Sequence, residues 1–212
     1  SIWVILPNSA NVAAFRRRLA RADGAIGVHL GTFYPLYEEL LAQAGQLVAR
    51  LDEPILYRLL REIATAMHAA GELDFFATIY NKPCFWRILH TSIQELKRAR
   101  ILPEDFAAAV SDKSARLQEL ARLYSAYQQR LLKSNWADGE GQGWLAAIAL
   151  NNDPNLAHGW RLLVVDGFDE FNPTQLEVLR LLAARTAETL VTLTGDLDPG
   201  RSRTTAHRRF IR

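Results

Sequence analysis

The segment LLVVDGFDEFNPTQ, residues 162–175, decides how this 212-residue chain folds. It begins with a continuous apolar run, residues 162–165, as expected of a strand that is covered on both faces. An aspartate and a glycine interrupt the run. Asn172, Pro173 and Gln175 then have the spacing of an N-cap, a first-turn proline and a capping-box partner. The segment therefore predicts a buried strand, a turn and a helix.

Similar strands flank this unit in the sequence. An apolar strand over residues 189–194 follows the predicted helix, and near the start of the chain residues 2–6 and 26–30 are also apolar. A helix predicted over residues 11–22 separates the two early strands. Because strands that alternate with helices favour parallel pairing, the four strands predict one parallel α/β sheet.

The stretch between these two regions is helical in pattern. Residues 52–70 and 85–96 each carry an amphipathic stripe, and residues 113–133 predict the longest helix. The stripe of the second segment consists of Phe85, Ile88, Leu89, Ile93 and Leu96. We therefore predict an α/β domain formed by residues 1–40 and 155–212, with a helical insertion domain over residues 41–154.

The composition is that of an ordinary globular protein, with 49% hydrophobic and 23% charged residues. The last twelve residues hold five arginines and no acid, whereas the other 200 hold 20 basic and 23 acidic residues. The body is therefore not a general polyanion binder. The basic tail is either a nucleic-acid contact or a solvated terminus. Arg16, Arg17, Arg18 and Arg21 likewise form either a solvated helix face or a phosphate contact.

The sequence contains few features that indicate a cellular compartment. Cys84 is the single cysteine, which excludes an intramolecular disulfide and fits a reducing compartment. No apolar run approaches the ~20 residues of a membrane span, and no signal peptide opens the chain. We expect a cytoplasmic protein that does not bind membranes and holds no structural metal, since the five histidines show no paired ligand spacing. Ser1 precedes an apolar strand without an initiator methionine, so we expect the natural chain to begin further upstream.

Four turns follow the carboxyl ends of the predicted strands, where ligands bind in such sheets: residues 7–9, 32–34, 166–168 and 195–196. An aspartate directly after a buried strand, as Asp166 is, can hold Mg²⁺ in nucleotide-hydrolysing enzymes, or it can simply cap a loop. The next position would normally carry the acid that activates water. Here it is a glycine, which cannot do so.

These segments resemble the motifs of UvrD/RecB-like superfamily one helicases. Residues 165–175 align without gaps on the Walker B pattern V-D-E-F-Q-D-T-N-P-x-Q, and residues 195–198 resemble the next motif, G-D-x-x-Q, with Pro199 in place of its glutamine. Residues 5–14 and 31–36 resemble the first two DNA-contact motifs. Residues 123–131 together with Asp138 are similar to the stretch that closes the helical 1B insertion. The order and spacing of the five motifs agree along essentially the whole chain.

The eroded Walker B, with residues 82–85 and 95–97, most resembles the B-type component of AddAB/RexAB-type helicase–nucleases. In that family the B-type component carries an inactivated helicase fold and a C-terminal nuclease. The resemblance implies a P-loop-NTPase-like (RecA-like 1A) α/β domain with an inserted all-helical 1B domain. It also implies single-stranded or duplex-end DNA and a catalytic A-type subunit as partners, in double-strand break repair and recombination.

The resemblance also supplies candidate sites. It implies a DNA-binding group and a degenerate nucleotide site: Asn8, Ser9, Thr32, Phe33 and Tyr34 for the first, and Asp166, Gln175 and Asp196 for the second. Phe33 is equally compatible with a place in the core, and Gln175 with a purely structural capping role. ATP and Mg²⁺ enter only through the resemblance. We predict no catalytic residue and no cofactor in this chain.

The departures from the family pattern leave alternatives. The 212 residues contain no G-x-x-x-x-G-K-[ST] loop to hold phosphates, and Gly167 and Pro199 replace residues that act on the γ-phosphate. We therefore expect a helicase-like module that does not hydrolyse ATP. Two alternatives are an active helicase truncated before its phosphate loop and an interaction domain that has lost DNA binding. Asp196 and Asp198 have the spacing of a metal-binding D-x-D pair. The turn that follows them is a simpler explanation for these two acids.

Overall fold

The computed structural model describes residues 1–22, 24 and 26–193. The elements in chain order are β1 (Ile2–Ile5), α1 (Ser9–Arg21), β2 (Val28–Gly31), α2 (Phe33–Gln43), β3 (Ala49–Arg50), α3 (Glu53–Ala69), α4 (Pro83–Arg98), α5 (Pro103–Ala109), α6 (Ala115–Lys133), β4 (Trp136–Ala137), α7 (Gly139–Asn152), β5 (Leu162–Phe168), α8 (Pro173–Ala183) and β6 (Glu188–Leu193). In this part of the chain, no helix is long and apolar enough to cross a membrane.

Among the described residues, β2, β1, β5 and β6 form one sheet in that order, and every neighbouring pair is parallel. The predicted parallel sheet is therefore confirmed. The register places Gly31, Ile5, Val165 and Val191 in one row across the four strands. Residues that follow this row lie at the carboxyl edge of the sheet. The last residue of the strand predicted over 189–194 lies outside the described residues, as do the turn at 195–196, Pro199 and the basic tail.

The chain divides into two compact units, residues 1–47 with 143–212 and residues 48–142. The first unit contains the sheet. Its core covers the face that carries Trp3, Ile5, Leu163 and Val165, against which apolar side chains of α2, α8 and the part of α7 after Gly143 pack. Since side chains alternate along a strand, Val4 and Leu6 point to the opposite face, and both are buried.

The second unit has a separate core formed by α3, α4 and α6. Leu60, Ile93 and Leu123 are among its most buried members. The amphipathic stripe predicted on α4 is correct for Phe85, Leu89 and Ile93 but wrong for Ile88, which is 62% exposed.

A short parallel ladder between β3 and β4 is a feature of this unit that the sequence does not predict. It pairs Ala49 with Trp136 and Arg50 with Ala137. The backbone N–H of Leu51 extends the ladder by donating to the carbonyl of Ala137 at 2.9 Å. Two-residue strands are too short to produce a recognisable alternation of apolar and polar residues. The ladder joins the segment that enters the helical unit to the segment that leaves it.

Candidate functional site at the carboxyl edge of the sheet

The end of β1 and the end of β2 lie side by side. The backbone N–H of Leu6 donates to the carbonyl of Gly31 at 2.9 Å, one step beyond the paired residues Ile5 and Gly31. The chain then turns into α1, whose N-cap is Asn8. The Asn8 side chain accepts a hydrogen bond from the backbone N–H of Asn11 at 2.9 Å. Asn8 and Ser9 are both exposed, so this turn presents polar groups at the edge.

The turn after β2 places its three candidate residues differently. Thr32 is the N-cap of α2 and makes no side-chain capping bond. Phe33 is only 4% exposed and packs edge-on against Phe168, with ring centroids 5.5 Å apart. Tyr34 is 36% exposed and meets Tyr37 edge-on at 6.3 Å. Phe33 therefore belongs to the core, and its ring has no exposed face on which a base could stack, whereas Thr32 and Tyr34 lie closer to solvent.

Asp166 is hydrogen-bonded to the neighbouring strand. Its carboxylate accepts a hydrogen bond from the hydroxyl of Thr192 on β6. The same hydroxyl accepts a hydrogen bond from the backbone N–H of Gly167 at 3.3 Å. The register of β5 against β6 shifts between Val165 and Phe168, which marks a β-bulge. Thr192 thus bridges two successive residues of the bulge.

Gly167 has a backbone conformation that other residues rarely adopt. Its φ is +78°, in the left-handed region where a side chain is strained. A Cβ atom added here would lie 3.8 Å from Pro7 Cδ and 4.0 Å from Asn11 Nδ2. Space is therefore available and the restriction comes from the backbone. These distances also place the bulge directly beside the turn between β1 and α1.

The predicted capping box at the start of α8 is confirmed. The side chain of Asn172 accepts from the backbone N–H of Gln175 at 2.8 Å, and the side chain of Gln175 accepts from the backbone N–H of Asn172 at 2.9 Å. The Gln175 amide oxygen is therefore engaged locally. Asp196, the third residue of the predicted nucleotide site, lies outside the described residues.

In the helical unit, the motif segments near residue 97, over 123–131 and at 138 meet in one buried cluster. Lys97 is fully buried, and its ammonium donates to the two carboxylate oxygens of Asp138 at 2.7 and 2.9 Å and to Gln128 at 3.0 Å. Asp138 also accepts from the Tyr127 hydroxyl at 2.8 Å and from the backbone N–H of Gly141 at 2.7 Å. The Asp138 carboxylate thereby caps the start of α7.

Burial and charge act in opposite directions on this cluster. Burial opposes ionisation of Asp138, but the Lys97 ammonium and the hydrogen bonds outweigh it, so the pKa of Asp138 lies below its ordinary value. Burial, followed by the Asp138 charge, raises the pKa of Tyr127. We therefore assign the ionised carboxylate and the neutral phenol as the stable pair. The cluster has the character of a structural ion pair that fixes α4, α6 and the start of α7.

Two contacts of the candidate residues are not predicted from the sequence. Thr192 is one, because nothing in the sequence says which strand lies beside Asp166, and strand order decides the contact. Lys97 with Asp138 is the other: the family motifs contain both residues, but only the fold joins them. A lysine in an otherwise apolar helix face, next to Ile93 and Leu96, is the signal that could have pointed to a buried charge.

Comparison with known proteins agrees with these motifs. A family model described as "ADDB, N-terminal" matches residues 17–211. The chain belongs to the ADDB N-terminal family. The resemblance predicted from the motifs is therefore confirmed. The B-type component of the ATP-dependent helicase/deoxyribonuclease of Carboxydothermus hydrogenoformans is 27% identical over 135 residues, which is 61% of this chain and 12% of that protein. The chain thus spans about an eighth of the length of this relative.

Proposed function

We propose that this ADDB N-terminal region is a helicase-like module that binds DNA without hydrolysing ATP, in a helicase–nuclease component used for double-strand break repair. In this proposal the sheet unit is a RecA-like 1A domain, and residues 41–154 are the 1B insertion. The module serves as a scaffold that tracks DNA and docks a catalytic A-type subunit. Family membership and the name of the bacterial relative support the setting.

The backbone at Gly167 carries the first half of the proposal. An ATPase of this class needs an acid at this position to polarise the attacking water. The left-handed φ of +78° within a β-bulge disfavours any such side chain. The glycine that replaces the acid therefore agrees with the backbone conformation, in which a glutamate would carry a strain of about 1–2 kcal/mol.

The neighbouring groups do not fit an ATP–Mg²⁺ site. The Asp166 carboxylate accepts a hydrogen bond from Thr192, and the Gln175 side chain closes the capping box. We therefore derive no step of the function through a bound nucleotide.

The exposed polar turns support the second half of the proposal, which is DNA binding. Asn8 and Ser9 follow β1 and Thr32 and Tyr34 follow β2, and adjacent strands bring these turns together. Hydroxyl and amide groups suit phosphate and sugar contacts, and a partly exposed tyrosine can stack on a base. We assign single-stranded DNA to this edge. In this proposal Phe33 does not contact DNA, and its ring packs in the core beneath the turn.

The experiment that tests the proposal measures phosphate release from ATP by the natural full-length protein that contains these residues, with and without single-stranded DNA. We expect no release, and none from a Gly167→Glu variant. DNA-stimulated release that disappears in Asp166→Ala would refute the proposal in favour of an active helicase. The same samples, titrated against labelled oligonucleotide, test DNA binding, and its absence at low salt would favour an interaction domain that has lost DNA.

A further inference from the structure

We propose that the outer face of α1 is a phosphate-binding surface for nucleic acid, formed by Arg17 and Arg21 with Arg16 and Arg18 on its flanks. This inference rests on the proposed DNA-binding function and adds a second contact surface to it. The helix Ser9–Arg21 contains these four arginines and no acidic residue, and none of its residues is buried. All four arginines are exposed.

The orientation of α1 follows from its apolar side. Val12, Phe15 and Leu19 are its large apolar residues and are half-buried, and at 100° per residue they define the inward face. Arg17 and Arg21, one turn apart, lie opposite that face. Arg18 lies to one side, with its guanidinium 5.6 Å from the centre of the Phe15 ring. The helix therefore presents a ridge of guanidinium groups to solvent.

The arginines of α1 differ from several others in the described part of the chain, which have partners. Arg58 pairs with Glu62, Arg180 with Glu177 and Arg98 with Glu140, each at 2.9 to 3.0 Å. Arg185 donates to backbone carbonyls in the last turn of α7 and in the segment that follows it. Within the part of the chain that the structure describes, none of the four α1 arginines forms an ion pair or a hydrogen bond through its side chain.

Stability of the helix does not explain this arrangement. The helix dipole favours cations in the last turn, which accounts for Arg18 and Arg21 but not for Arg16 and Arg17. Like charges at i and i+4, such as Arg17 and Arg21, destabilise a helix by about 0.2–0.5 kcal/mol. A polyanion that binds the ridge would relieve this repulsion.

Phosphate fits the ridge better than a protein partner does. Protein interfaces are centred on buried apolar and aromatic side chains. The outward side of α1 offers only small alanine side chains as apolar groups beside its arginines, whereas its large apolar residues face inward. Guanidinium groups bind phosphate oxygens in pairs of hydrogen bonds. The sequence near the ridge adds little opposing charge, since Asp23 is the single acid among residues 1–35.

The test compares the full chain with an Arg17→Gln/Arg21→Gln variant. Glutamine keeps the helix propensity of arginine, and circular dichroism with thermal unfolding verifies the fold. The matched control is Arg87→Gln/Arg116→Gln, which removes two exposed arginines from α4 and α6. All chains carry glutamine in place of the five tail arginines, so that the tail does not mask the effect. Affinities for fluorescein-labelled oligo(dT) and for a blunt duplex are measured by anisotropy between about 50 and 200 mM salt.

Loss of two phosphate contacts has a defined signature. We expect the slope of log affinity against log salt to become shallower by about 1.4 for single-stranded DNA, or by about 1.8 for duplex, in the α1 variant alone. An equal change in the control would overturn the inference, because any two positive charges would then act alike.

A Tyr34→Ala variant separates this inference from the proposed function. If Tyr34→Ala weakens binding and the α1 variant does not, the sheet edge binds DNA and the α1 surface is refuted. If no chain binds either DNA at about 50 mM salt, both proposals fail together. If the α1 variant alone loses affinity, the ridge is the DNA contact and the assignment of Tyr34 is refuted.

Discussion

Thr192 holds the carboxylate of Asp166 in place by donating a hydrogen bond to it across the β5–β6 pair. The same hydroxyl receives the backbone N–H of Gly167, so the bulge is tied to β6 at two successive residues. In a nucleotide-hydrolysing site, the carboxylate at this position turns toward a metal ion. Here its Oδ1 accepts a hydrogen bond from the neighbouring strand, and we infer that this contact stabilises the bulge.

The bulge makes Gly167 a sensitive position for stability. We expect Gly167→Ala to lower the free energy of unfolding by about 1–2 kcal/mol, because a Cβ atom is strained in the left-handed region. Gly167→Asn is the matched variant, since asparagine tolerates this region better, and it should lose less. Urea unfolding of the three proteins measures the order. Equal stabilities would contradict the assigned backbone conformation.

The buried pair of Lys97 and Asp138 predicts a non-additive response. We expect Lys97→Met to destabilise the protein by about 3–5 kcal/mol, because Asp138 is left charged and buried without its partner. In Lys97→Met/Asp138→Asn the charge is absent, while the amide oxygen can still accept from the backbone N–H of Gly141 and the amide NH2 can donate to the Tyr127 hydroxyl. The double variant should therefore be more stable than Lys97→Met alone. If the two single losses simply add, the pair is not coupled as the structure indicates.

His90 predicts how stability depends on pH. Its ring is buried and stands perpendicular to the ring of Tyr57, with the two ring centres 5.3 Å apart. Its Nε2 has no hydrogen-bond partner among the described residues. Burial lowers the pKa of His90, although Asp138 and Glu53 act in the opposite direction; Lys97 and Arg98 lower it further. The unfolded chain then binds a proton that the folded chain does not.

The folded state should therefore lose stability as pH falls below the unfolded histidine value of about 6.5, and the loss should level off below the folded pKa. Unfolding at pH values between about 6.5 and 5 measures the slope, which should be shallower in both His90→Asn and His90→Phe. Asp138 and Glu119, whose pKa values are lowered, act only at lower pH, near the ordinary carboxyl range. An unchanged slope in both variants would exclude His90 as the source.

The sequence predicts those features that depend on neighbours along the chain. The apolar runs locate the described strand ends to within three residues, and Asn172 with Gln175 predicts a cap that needs no distant partner. Features that depend on packing were not predictable. Phe33 and Ile88 are both apolar residues at suitable spacings, yet the first is in the core and the second is exposed. Only the position of the neighbouring elements decides between these outcomes.

DNA binding at the carboxyl edge of the sheet is the remaining prediction, and Tyr34 is its most informative residue. Stacking of a base on an aromatic ring contributes ~1–3 kcal/mol, so we expect Tyr34→Ala to weaken binding of single-stranded DNA about 5- to 100-fold. Tyr34→Phe is the matched control, because it keeps the ring and should bind as the unchanged chain does. Affinity of every variant should fall steeply between about 50 and 200 mM salt, as phosphate contacts release counterions.

The basic tail is the rival explanation for any binding that this assay detects. Five arginines after residue 200 would attract DNA without any help from Asn8, Thr32 or Tyr34. Binding by the tail and binding by the carboxyl edge respond differently to neutralisation of the tail and to Tyr34→Ala. A chain with its tail arginines replaced by glutamine should keep its sensitivity to Tyr34→Ala if the edge binds a base, since stacking does not depend on the tail's charge. If neutralising the tail abolishes binding and Tyr34→Ala has no effect on the unchanged chain, the carboxyl edge of the sheet is not a DNA site in this protein.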